Sequence, residues 1–151
     1  MRISAKVDYA LRAAVELAAA GQERVKGEHL ASVQDIPRKF LDNILGDLRH
    51  AGLVGSQRGV DGGYWLERPA ELITVAEIVR AVEGPLATVR GHRPEDVVYS
   101  GSADQLQGLW IAVRRNLRAV LETVTLADLA TGRLPDPVER LAVDPESWAR
   151  R

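Results

Sequence analysis

Val7, Ala10, Leu11, Ala14, Val15 and Ala18 fall at the i, i+3, i+4, i+7 spacing of one helical face, and Gly21 supplies a stop signal. This pattern predicts a first helix. A short second helix is expected over Glu28 to Val33, with Leu30 and Ala31 turned inward. Asp35-Ile36-Pro37 reads as a turn into a third helix, because proline at the first helical position gives up no hydrogen bond. Leu41, Ile44, Leu45 and Leu48 form the apolar stripe of that helix, and Gly52 followed by Leu53 closes it.

Two extended segments follow, Leu53 to Arg58 and Tyr64 to Glu67, around Gly59-Val60-Asp61-Gly62-Gly63. Asp-Gly between strand-like segments marks a hairpin turn. Thr74 and Glu77 form a capping box, with Ile73 placed to staple against Ile78, and open a fourth helix whose apolar face is Val75, Ile78, Val79 and Val82. Residues 85–102 show no period and read as a loop. Ser102 and Gln105 repeat the capping-box pattern. Leu106, Trp110, Val113, Leu117, Val120 and Val124 then recur with the alternating four-three spacing of a coiled-coil seam. A short helix is expected near Thr125 to Thr131, and the proline-containing tail beyond it, residues 132–151, is expected to be irregular. The predicted fold is mainly α with a small β-hairpin. Residues 1–84 form a winged helix-turn-helix unit, and residues 103–131 a dimerisation helix with a short C-terminal helix.

In such a unit the third helix enters the DNA major groove and the hairpin, or wing, reaches the neighbouring backbone or minor groove. Burying the apolar stripe of the third helix leaves Lys39, Asp42, Asn43 and Gly46 on its opposite face. Asparagine can pair with adenine through two hydrogen bonds, aspartate can accept from cytosine, and lysine can serve guanine or a phosphate. Gly46 would let the backbone come close. The same face also fits a merely solvated amphipathic helix. The hairpin that follows favours the DNA reading. Arg58, at the base of the wing, is suited to a narrow minor groove. Gly59, Gly62, Gly63 and Tyr64 complete the wing; this glycine-rich loop joins strand to strand, whereas a phosphate cradle joins strand to helix.

Composition narrows the chemistry. The chain has no cysteine, which excludes disulfides, thiolate metal ligands and cysteine nucleophiles. Its net charge of −1 leaves nucleic acid open, because DNA binding needs a local basic face and not a basic total. No long apolar run suggests a membrane span and the first residues carry no secretory signal, so a cytoplasmic protein is expected. Neither a nucleophile elbow nor a nucleotide loop is present, and no catalytic residue is assigned.

The series Ile36-Pro37, Phe40-Leu41, Ala51-Gly52-Leu53-Val54, Arg58-Gly59, Gly62-Gly63-Tyr64, Arg68-Pro69, Ile73-Thr74 and Val82-Glu83-Gly84 resembles the Rrf2 family of bacterial winged helix-turn-helix transcriptional regulators. Arg2, Lys6, Tyr9-Ala10-Leu11, Trp110 and Thr125-Leu126-Ala127-Asp128-Leu129 extend the likeness. The resemblance implies a homodimer, read as a repressor, on a partly palindromic operator in double-stranded DNA. It places base reading on Lys39, Asp42 and Asn43, a wing contact on Arg58 and a further DNA contact on Arg2. It also implies that Leu106, Trp110, Val113, Leu117, Val120 and Val124 join two subunits. Asp35 stands where many relatives have glycine, and aspartate tolerates the left-handed region better than most residues.

Cluster-binding relatives carry three cysteines in the loop that corresponds here to Arg90 through Asp104, a stretch without a thiolate ligand. This chain is therefore read as a cysteine-free member with no cofactor and no metal. His92, Asp104 and Asp8 offer hard ligands, but nothing in the sequence makes them converge. The signal is left open between a small molecule and a protein effector. A dimeric interaction module acting through a bound partner protein is the alternative reading.

Overall fold

The computed structural model describes residues 2–150. Helix α1, Ala5–Ala20, starts where the Ser4 hydroxyl accepts from the Val7 amide and ends at Gly21, whose φ of 61° suits a residue without Cβ. Helix α2, Gly27–Gln34, terminates in Asp35, a left-handed residue at φ 50° and ψ 51°. The turn expected there is kept without glycine. Helix α3, Arg38–His50, follows with Pro37 as its N-cap, so it starts one position later than expected from proline at the first helical position. Gly52 is left-handed at φ 71°, and the Leu53 amide returns to the Leu48 carbonyl at 3.0 Å, closing α3 as read from the sequence.

Strands β1, Val54–Gln57, and β2, Gly63–Leu66, pair antiparallel in the register Val54 to Leu66 and Gln57 to Gly63. A third segment joins them: Val25 and Tyr64 exchange backbone hydrogen bonds of 2.9 and 2.8 Å. Helix α4, Val75–Glu83, carries the expected capping box, with Thr74 accepting from the Glu77 amide and Glu77 from the Thr74 amide. The long helix α5, Leu106–Leu121, and the short α6, Leu126–Ala130, follow; Thr125 and Asp128 form a second capping box.

The core gathers Ala10, Ala13, Ala14 and Leu17 of α1 against Leu41, Ile44, Leu45 and Leu48 of α3, with Ile73 and Ile78 from the α4 region. Small residues along α1 let the other helices approach its backbone, and the larger side chains then fill the space between.

Four expectations need correction. Val124 lies past the end of α5 and is buried with Val75 and Val138 in the protomer's own core, because its carbonyl accepts from the Val75 amide and draws the chain inward. Val124 therefore cannot extend a seam. Residues 103–131 are also not a separate unit, since Leu126 is fully buried in the main core and its amide bonds the Ile73 carbonyl. The Ser102 capping box does not form: residues 101–103 make a 3-10 turn and Gln105, itself helical, precedes α5. The tail is not irregular. It forms α7, Asp136–Val143, and α8, Pro145–Trp148, because Pro137 and Pro145 sit in first turns, where proline is tolerated. The Trp148 indole donates to the Ala142 carbonyl while its ring stays exposed, so it ties α8 to α7 and not to the core.

Candidate nucleic-acid interface

Helix α3 is divided between two environments. Leu41, Ile44, Leu45 and Leu48 are at most 1% exposed, whereas Lys39, Asp42 and Asn43 face solvent and Gly46 is half-buried between them. A Cβ added at Gly46 would meet nothing within 4 Å, so the space over it is open to an approaching surface. An open depression of about 490 Å³ runs along this face, lined by Lys6, Phe40, Asp42, Asn43, Gly46 and His50 among others.

The charges on this face are organised by one residue that the sequence reading did not select. Arg38, in the first turn of α3, holds Asp42 at 3.0 Å and Glu28 of α2 at 3.5 Å. Asp42 is therefore a partly neutralised acceptor. Lys6 reaches across from α1 to Asp47 at 2.7 Å. Lys39 and Asn43 enter no intramolecular side-chain hydrogen bond or ion pair among the described residues, which leaves both free for a partner.

The wing is stiffer than a five-residue glycine-rich loop suggests. Lys26 donates to the carbonyls of Gly59 and Val60 at 2.7 and 2.6 Å, and Arg24 bonds the Gln57 side chain and the Asp61 carbonyl. Arg24 also stacks over the Trp65 ring, 5.0 Å from its centroid. At Gly62 a Cβ would overlap the Gln57 carbonyl, so the turn closes only around glycine. Gly63 is buried against the Val25 backbone, and Tyr64 is half-buried beside it. Arg58 and Arg2 both project exposed. Arg24 and Lys26 went unselected because they lie between α1 and α2, far from the wing in sequence; the single local signal was two cations flanking the β-branched Val25.

The segment between α4 and α5 is strapped to α5. The Gln107 amide donates to the Val97 carbonyl at 2.8 Å, the Trp110 indole to the Tyr99 hydroxyl at 3.1 Å, and Arg114 pairs with Glu95. Pro94 and Val97 are buried beneath these contacts. Among the described residues no three histidine, aspartate or glutamate side chains gather as a metal site, and His92, Asp104 and Asp8 stay apart.

Three helices, a three-segment wing and a fourth helix define a winged helix-turn-helix protein of the transcription-regulator class. Comparison with known proteins gives the family. The Rrf2 profile, described as an iron-dependent transcriptional regulator, matches residues 3–132. The chain is 49% identical over 145 residues to the putative HTH-type transcriptional regulator Rv1287 of Mycobacterium tuberculosis, covering 95% of this chain and 90% of the relative. It is 34% identical to the HTH-type transcriptional regulator CymR of Bacillus subtilis, over 87% of this chain and 91% of that one. Among solved structures, CymR, the global cysteine regulator of B. subtilis, superposes with a TM-score of 0.74 at 32% identity, over 89% of this chain and 99% of CymR. IscR of T. potens superposes with 0.70 at 28% identity, over 99% and 97%. The chain belongs to the Rrf2 family and is a helix-turn-helix transcriptional regulator. A cysteine-ligated iron centre does not fit it, because the donor set contains no thiolate.

Proposed function

We propose that the protein is a homodimer that reads an operator with α3 and clamps it with the wing. The observation that carries this reading is the division of α3, whose Leu41, Ile44, Leu45 and Leu48 are used by the core while the Lys39 and Asn43 side chains remain unengaged and the space over Gly46 stays open. Asn43 serves adenine, Lys39 guanine or a phosphate, and Asp42 accepts from cytosine while shared with Arg38. Arg58 enters the minor groove, Arg2 meets the backbone, and Gly59, Gly62, Gly63 and Tyr64 hold the wing in shape. Leu106, Trp110, Val113, Leu117 and Val120 supply the two-fold interface. Their half-buried side chains, with Leu109 beside them at 50% exposure, form an apolar face that a second copy would cover. No described helix is long and apolar enough to cross a membrane, and we place the protein in the cytoplasm with the DNA it reads. A dimer laid over promoter DNA excludes polymerase, so repression is the expected direction.

The test is an electrophoretic shift on the protein's own promoter region against random duplex at matched salt. Specific binding is expected to exceed random binding by about 10³-fold or more. Equal affinity for both DNAs sinks the reading. Arg58→Ala is expected to lower the salt slope of binding by about one per protomer.

A further inference from the structure

A cavity of about 370 Å³ opens where α4, the segment after it and α5 meet. Four arginines line it: Arg80 from α4, Arg93 from the loop, and Arg114 and Arg118 from α5. Two carboxylates answer them. Glu95 pairs with Arg114, and Glu122 takes Arg80 with Arg118 at 3.6 Å. The Arg93 side chain enters no hydrogen bond or close ion pair among the described residues, though its charge acts on Glu95. Four guanidinium groups against two carboxylates leave two positive charges in excess, in a chain whose net charge is −1.

Both carboxylates are held ionised, so the excess at neutral pH is two charges and not four. Hydrogen bonding to its own backbone and the Arg114 guanidinium keep Glu95 below the usual carboxylate range, and the Arg80 guanidinium does the same for Glu122. Pro85, Leu86 and Ala87 give the cavity an apolar wall beside the arginines. Guanidinium groups bind carboxylate and phosphate oxygens through paired hydrogen bonds, and a wall of this kind favours a carbon skeleton over a bare ion.

We infer that this cavity is an effector site for a small organic dianion, a dicarboxylate or a phosphate monoester, held by Arg80, Arg93, Arg114 and Arg118. Its position gives occupancy a consequence. Arg80 belongs to the helix that packs on α1 and α3, while Arg114 and Arg118 belong to the helix proposed to join the subunits. A dianion that takes Arg80 from Glu122 exchanges one contact between the DNA-reading part and α5 for another. The regulatory role rests on the operator reading given above; the binding itself does not.

Thermal unfolding of the full chain without DNA is measured with succinate, with glycerol 3-phosphate, with inorganic phosphate and with sodium chloride at matched ionic strength. One of the two organic dianions is expected to raise Tm by about 3–6 °C at tenfold excess over its Kd, and which one does so identifies the oxyanion. Arg93→Ala, which breaks no side-chain hydrogen bond or close ion pair of the fold, is expected to abolish the shift, and Arg118→Gln to reduce it. No shift above the chloride control at about 10 mM ligand, an equal shift in Arg93→Ala, or an equal shift from inorganic phosphate overturns the site. With operator DNA, the stabilising dianion is expected to change affinity at least about fivefold. Constant affinity overturns the effector role while leaving operator reading intact.

Discussion

Helices α3 and α5 are both amphipathic, yet the fold treats them in opposite ways. In α3 four apolar residues are completely covered by α1, α2 and α4, and what remains outside is polar apart from Phe40, which is 54% exposed at the edge of the open face. In α5 no residue is fully buried; its apolar side is half-covered by the strapped segment and half-open. Apart from Phe40, the first of these helices is finished by its own chain and offers mainly hydrogen-bonding groups. The second still has apolar surface to lose, the stronger drive for association with another protein surface. The contrast fits the roles proposed for them, nucleic acid for α3 and a second copy for α5, and burial separates the two helices more sharply than composition does.

The comparison breaks first at α5. Leu117→Asp places a charge in the proposed interface once from each subunit, at about 3 kcal/mol or more each, which predicts loss of the dimer at micromolar protein with the protomer still folded. Sedimentation and far-ultraviolet circular dichroism read the two effects separately, and an undisturbed dimer would remove α5 from the interface.

The matching change in α3 behaves differently. Leu41 is 0% exposed, so Leu41→Ala is expected to cost about 2–5 kcal/mol of folding stability and to lower Tm by about 4–20 °C. Loss of self-association without loss of stability would contradict the contrast. On the opposite face, Asn43→Ala is expected to weaken operator binding by about 1–3 kcal/mol and to relax preference at one base position, with Tm unchanged. Binding titrations against operators substituted at single positions measure this.

The smallest effect concerns the α4 cap. Burial pushes the Glu77 carboxyl up, but the Thr74 amide and the Arg68 guanidinium outweigh it and hold the group below its usual range. A lowered folded value means that stabilisation is present above the ordinary glutamate pKa and is lost as pH falls through the lowered one. Glu77→Gln is therefore expected to lower Tm slightly at neutral pH, with the gap to wild type closing on acidification. Thr74→Ala is expected to cost about 1 kcal/mol. A gap that widens in acid would refute the assignment.

Much of the α3 face was legible because Leu41, Ile44, Leu45 and Leu48 fix the helix rotation, and rotation alone decides which residues point away. The wing was legible in outline, since Asp61-Gly62 specifies a turn whatever surrounds it. Its bracing was not. Arg24 and Lys26 reach the turn only because Val25 pairs with Tyr64 across 39 positions of sequence, and no local pattern announces that pairing.

By itself, the sequence determined the order and rotation of the first four helices, the hairpin, the family likeness and the absence of any thiolate. These follow from periodicity, capping chemistry and composition, which act over a few residues or over none. Only the tertiary structure decided that Val124 and Leu126 turn inward to complete the core, that the tail is helical, and that Arg38 partly neutralises Asp42. It alone brought Arg80, Arg93, Arg114 and Arg118 around one cavity. The physical reason is that convergence of distant side chains depends on how whole elements pack, and the free energy of that packing is shared among residues whose spacing along the chain carries no record of it.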